Sequence, residues 1–165
     1  MTLKIESTSS FESEKIIRDF LGGRYSGVLA TADKAANPYA TVVYFMLEDD
    51  FSVLFGTKEE TQKYKNMVEN DQVALLVYEE RTQATAQITG RVEVVEDEAV
   101  REKVLNNMSQ SSLEGSGSAI APAEQLVAGS FKVMRLKPSV IKMAEYNRPT
   151  PGSDDLFERI LFSDN

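Results

Sequence analysis

"SGVLATADKAANPYATVVYFMLEDDFSVLFG", residues 26–56, holds three runs rich in β-branched and aromatic residues, "SGVLATA", "YATVVYFML" and "FSVLFG", separated only by "DKAANP" and "EDD". Both separators are turn chemistry, and connections this short leave no room for a crossover helix, so the runs read as neighbouring antiparallel strands. The pattern continues downstream in "VALLVY" and "ATAQITGRVEVV", joined by the polar "EERTQ", and then in "SFKVMRL" and "SVIKMAEY", two final strands parted by Lys137 and Pro138. Gly90, inside the longest run, predicts a bulge or a close backbone approach. Six to seven strands with mainly hairpin connections predict a mainly β fold with peripheral helices, built as a small antiparallel barrel.

Around these strands lie helical and loop segments. In "SSFESEKIIRDFLGG", Ser9 caps, Glu12 reaches back, Ile16, Ile17, Phe20 and Leu21 form one stripe, and Gly22 and Gly23 end the element. From Thr61 the spacing becomes helical and places Tyr64, Met67 and Val68 on one side, with Asn70 and Asp71 closing the element. "EDEAVREKVLNNM" reads as an acid-started helix, residues 110–122 as a mobile loop, and Pro122 as the first turn of a short helix to about Leu126. The tail, residues 147–165, carries two prolines and then Leu156, Phe157, Ile160, Leu161 and Phe162, a cluster expected to dock on a neighbouring surface. At 165 residues, the whole is expected to form a single domain, 1–165.

Composition excludes much. The formal charge is -8, so no nucleic-acid surface is expected. The chain has no Cys and no His, which removes disulfides, thiolate nucleophiles, Ser-His-Asp triads and imidazole metal sites, and no metal is expected. No run is long and apolar enough for a membrane span, and a cytoplasmic protein is expected.

One stretch stands out chemically. "FGTKEETQKYKN", residues 55–66, ends a strand and opens a helix while presenting two hydroxyls and three lysines. Thr57, Thr61 and the free N–H groups of a first helical turn can converge on one anion, with Lys63 bringing an ammonium to the same place. On the residues alone, the reading to be preferred is Thr61 as a simple N-cap on a solvated helix, since charged capped helices are common.

In order and spacing the chain resembles the FMN-binding split-barrel superfamily, which includes the pyridoxamine 5'-phosphate oxidases and the general-stress flavoproteins. Phe55, Thr57, Thr61 and Lys63 stand at the intervals at which that family grips the flavin phosphate. "KYKNMVENDQVALLV" is similar to its following helix and strand, "ATAQITGRVEVVED" to its strand with an internal Gly, and "GVLATADKAANPYATVVYF" to its first hairpin. The resemblance implies a split β-barrel with FMN as cofactor, and an oxidoreductase whose chemistry is the flavin's. It also implies a homodimer with the flavin at the subunit interface, and NAD(P)H or another small molecule as electron donor. The strand "ATVVYF" is implied to lie along the isoalloxazine, which makes Thr41, Val42, Val43 and Tyr44 cofactor-binding candidates through their backbone.

The departures are as informative. Family oxidases carry Arg and Lys at the two ends of that strand, where this chain has Tyr39 and Tyr44; their Gln-x-Arg becomes Thr85-Ala86-Gln87; and with no Trp and no His, the vitamin B6 substrate contacts have no counterpart. The substrate is therefore left open, and no catalytic side chain is assigned. Two further classes stay in view: a flavin-holding or ligand-holding sensor without turnover, and a cofactor-free dimeric interaction module.

Overall fold

The computed structural model describes residues 4–5, 11–116, 130–146 and 157–163. The elements are β1 (Lys4–Ile5), α1 (Phe11–Gly22), β2 (Ser26–Ala32), β3 (Pro38–Leu47), β4 (Val53–Lys58), α2 (Gln62–Glu69), β5 (Gln72–Glu79), β6 (Ala84–Val95), α3 (Glu98–Ser116), β7 (Phe131–Glu145) and β8 (Phe157–Ser163). The strand order is β1-β8-β7-β4-β3-β2-β5-β6, and β6 pairs back onto β7. Strands β2 to β7 thus close an antiparallel six-stranded barrel, and β8 is added outside it. This is the expected split-barrel class.

Alternation drives the closure. Val73, Leu75 and Val77 of β5 and Ala84, Ala86 and Ile88 of β6 are buried, while the residues between them are more exposed. A period of two turns one face of each strand inward, and each large side chain fully buried there contributes about 1.5–3 kcal/mol relative to exposure. From α1, Ile17, Phe20 and Leu21 join this core, and the helix ends at Gly22 as expected. A second cluster, with Leu54, Val104, Met108 and Phe131, lies outside the barrel beneath α3.

Gly90 marks where the barrel bends. The β6–β7 register passes from Thr89↔Val140 to Gly90↔Pro138, leaving Ser139 as the extra residue of a bulge. A Cβ on Gly90 would lie 2.0 Å from the Lys137 carbonyl oxygen, so the backbones approach where only glycine fits.

Four expectations change. The two last strands are one bent strand, β7, because Pro138, which has no N–H to donate, sits at the bulge. On one edge β7 pairs with β4 as far as Leu136 and with β8 from Val140. Residues 157–163 of the tail form a strand of the sheet, with Ile160 and Phe162 in the core; Leu156 lies outside the described residues. The loop expected over 110–122 is helical to Ser116, since α3 continues past the buried Val104 and Met108 that anchor it. Finally, Phe51 is no strand residue: its φ of 67° belongs to the turn after β3, and its fully buried ring lies under the Arg18 guanidinium at 4.0 Å. Ser9 and the helix expected at 122–126 lie outside the described residues.

Candidate functional site

The barrel is split between β3 and β4. Strand β3 is paired with β2 along seven positions, Pro38–Tyr44 against Ser26–Ala32, but with β4 only at Phe45↔Phe55, Met46↔Leu54 and Leu47↔Val53. Beyond Phe55, β4 continues as Gly56–Lys58 paired with β7 alone. Among the described residues, the β4-facing edge of β3 from Pro38 to Tyr44 therefore has no strand partner, and its backbone N–H and C=O groups are available to a planar polar ligand.

The candidates named from the sequence lie on the two lips of this opening. On the β3 lip, Val43 is buried in the core, so only its backbone faces the opening, whereas Thr41 and Tyr44 are half-buried and Val42 points outward. Tyr44 packs against the cluster under α3 and stacks on Tyr25, with ring centroids 6.1 Å apart and planes at 14°. On the β4 lip, Phe55 is a fully buried core residue that marks the last β3–β4 pair. Thr57 follows, its side chain buried and its hydroxyl 3.0 Å from that of Thr61.

Thr61 is the N-cap of α2, in extended conformation, donating to the Lys58 carbonyl at 2.8 Å and accepting weakly from the Tyr64 N–H at 3.4 Å. The N–H groups of Gln62 and Lys63 have no intrahelical acceptor, as at any helix start. Lys63 is half-buried, and that burial holds its pKa below the ordinary lysine value of 10.5. Among the described residues no carboxylate pairs with it. A desolvated ammonium, two hydroxyls and free helix N–H groups fit a phosphate, whose charge would offset the desolvation.

The helix presents a face that the hydrophobic spacing did not indicate. Val68 is 65% exposed, whereas Asn66 is 1% exposed and Met67 is buried. Of the expected Tyr64, Met67 and Val68, the first two pack on the core and Val68 does not, and the side turned to the barrel also includes Asn66 and the half-buried Lys63. Asn66 was missed because a buried amide has no hydrophobic signature; its position three residues after Lys63 is the only sequence signal.

A separate open concavity of about 830 Å³ lies on the outer face, bordered by Ala30, Pro38, Ala74, Gly90, Arg91 and Lys137. Its cations are already engaged, Arg91 with Asp71 at 2.5 Å and Lys137 with Glu93 at 2.6 Å, so it lacks the spare charge of the Lys63 site. Among the described residues no cluster of three or more carboxylates is placed to hold a metal ion, and no helix is long and apolar enough to cross a membrane.

Comparison with known proteins agrees with the architecture. Among solved structures, a putative pyridoxamine 5'-phosphate oxidase from Listeria innocua is 23% identical with a TM-score of 0.61, covering 83% of this chain and 99% of its own. PhzG from Burkholderia lata 383, in complex with tetrahydrophenazine-1-carboxylic acid, is 19% identical with a TM-score of 0.62, covering 93% and 90%. General Stress Protein 26 from Bacillus anthracis str. Sterne is 21% identical with a TM-score of 0.61, covering 81% and 94%. No protein of curated function matches the sequence. The family model for pyridoxamine 5'-phosphate oxidase matches residues 13–144, most of the barrel, and the chain belongs to that family.

Proposed function

We propose that the chain binds FMN in the split between β3 and β4 and acts as a flavin-dependent oxidoreductase. The observation that carries this reading is Lys63: a half-buried ammonium without a carboxylate partner among the described residues, in the first turn of the helix that Thr61 caps, the Thr61 hydroxyl lying 3.0 Å from that of Thr57. In this reading Thr57, Thr61 and Lys63 hold the phosphate, and the unpaired backbone of Thr41, Val42 and Val43 meets the polar edge of the isoalloxazine. Tyr44, held by its stack on Tyr25, limits the ring's position at the closed end of the split. The flavin supplies the electron transfer, which suits a chain without His or Cys. The vitamin B6 reaction is not part of the proposal, because the substrate-gripping residues of family oxidases are absent.

The test is the absorption spectrum of the purified protein. A yellow protein that releases FMN in one-to-one ratio on denaturation is expected. A colourless protein that takes up no added FMN overturns the proposal. Bleaching by NADH or NADPH and reoxidation in air are expected of the enzyme, whereas FMN bound but never reduced would identify a sensor.

The same reading makes the protein a homodimer. Val42, Val28 and Leu76 are directly paired across β3, β2 and β5 and are 65%, 39% and 42% exposed, forming one outward apolar row. Ala40, Ala30 and Ala74 form the next row, which leads into the open concavity. A contiguous apolar surface bordering the split suits a second copy that covers both. Sedimentation at micromolar concentration is expected to give a dimer, and Val28→Glu, which puts a charge at the centre of the row, a folded monomer. A dimer that survives this substitution places the interface elsewhere.

A further inference from the structure

Asn66, itself buried, lies at the centre of a hydrogen-bond chain that no part of the proposed site uses directly. Its Nδ2 donates to the Thr31 hydroxyl of β2 at 3.1 Å, and its Oδ1 accepts from Gln62 Nε2 at 2.8 Å. Asn66 and Thr31 are 1% and 4% exposed. The chain ties the first turn of α2, through Gln62, to the barrel wall.

Only two residues of α2, Asn66 and Met67, are buried. Met67 packs in the core and the partly buried Tyr64 packs against it, but apolar contacts are non-directional and tolerate rotation and sliding of the helix. Hydrogen bonds are directional, so the Asn66 amide fixes both the rotation of α2 and its height on β2.

We propose that Asn66 is the positioning residue of the phosphate site: by holding α2 on Thr31 it sets where Lys63 and the first-turn N–H groups meet the anion. This rests on the proposed binding of FMN. Asn66 itself does not contact the ligand. A helix released from this tie and displaced by about 1 Å retains its ammonium but loses the convergence of donors.

The experiment compares FMN with riboflavin, which has the same ring and no phosphate. In the wild type, FMN is expected to bind more tightly than riboflavin by at least about tenfold, the worth of one charge-assisted hydrogen bond. In Asn66→Leu that preference is expected to fall to about threefold or less, with riboflavin affinity unchanged. Thr31→Val, nearly isosteric and breaking only the β2 end of the chain, is expected to reduce the preference in the same way should Asn66→Leu fail to fold. Both titrations follow flavin fluorescence, with the melting temperature measured alongside.

Loss of both affinities in equal proportion would show a merely structural role and overturn the inference. So would a wild-type preference retained in Thr31→Val and in any folded Asn66→Leu. If the wild-type protein binds neither flavin, it is the FMN reading that fails.

Discussion

Gly90→Ala is expected to destabilise the protein by about 3 kcal/mol or more, which for a chain of this size lowers the melting temperature by roughly 10 °C. The added Cβ would meet the Lys137 carbonyl oxygen at 2.0 Å, the carbonyl carbon at 2.9 Å and the Pro138 Cα at 2.9 Å. All three are backbone atoms of β7, so no side chain can swing aside, and the strands must separate at the bulge. That bulge lies within the β6–β7 ladder that closes the barrel, just where β7 passes from β4 to β8 on its other edge. Gly22→Ala is the control: nothing lies within 4 Å of its Cβ, and at the end of α1 the change is expected to be neutral or to stabilise by about 0.5–1 kcal/mol. Urea unfolding of the three proteins measures both effects. A Gly90→Ala protein within 1 kcal/mol of wild type would mean the bulge relaxes freely.

Gly90 was legible in the sequence because a glycine among β-branched residues has few explanations. The strands at 26–32 and 84–95 were legible because runs containing β-branched residues and set off by turn chemistry read as strands. Reading was poorer where tertiary contacts override local preference. Pro138 looks like a strand end, yet the bulge accommodates it within β7. Residues 110–116 have loop composition, yet they continue a helix already fixed by Val104 and Met108. Of the spacing Phe55, Thr57, Thr61 and Lys63, the two hydroxyls come together at 3.0 Å, Lys63 lies in the helix turn that follows, and Phe55 belongs to the core. The orientation of α2 could be read only in part from hydrophobicity: Tyr64 and Met67 pack on the core, but Val68 is exposed and a polar residue, Asn66, takes a buried position.

Lys63→Ala is expected to weaken FMN binding by about 1.5 to 3 kcal/mol, roughly ten- to 150-fold, while leaving riboflavin affinity unchanged. The effect depends on pH in a direction set by burial. In the free protein, desolvation holds the Lys63 pKa below 10.5, so its charged form is disfavoured in the folded state. That folding cost is fully present below the folded pKa, declines as pH rises, and disappears above the unfolded value, where the amine is neutral in both states. A bound phosphate favours the charged form and raises the pKa again. FMN affinity is therefore expected to fall as pH rises through the free-protein pKa of Lys63, a window that begins below 10.5, and riboflavin affinity should show no matching fall. Lys63→Met, which keeps an apolar stem against the barrel, should abolish the difference between the two flavins' pH profiles without the packing loss of alanine. A wild-type FMN profile that parallels riboflavin, or a Lys63→Ala protein with unaltered FMN affinity, would show that the phosphate is held elsewhere.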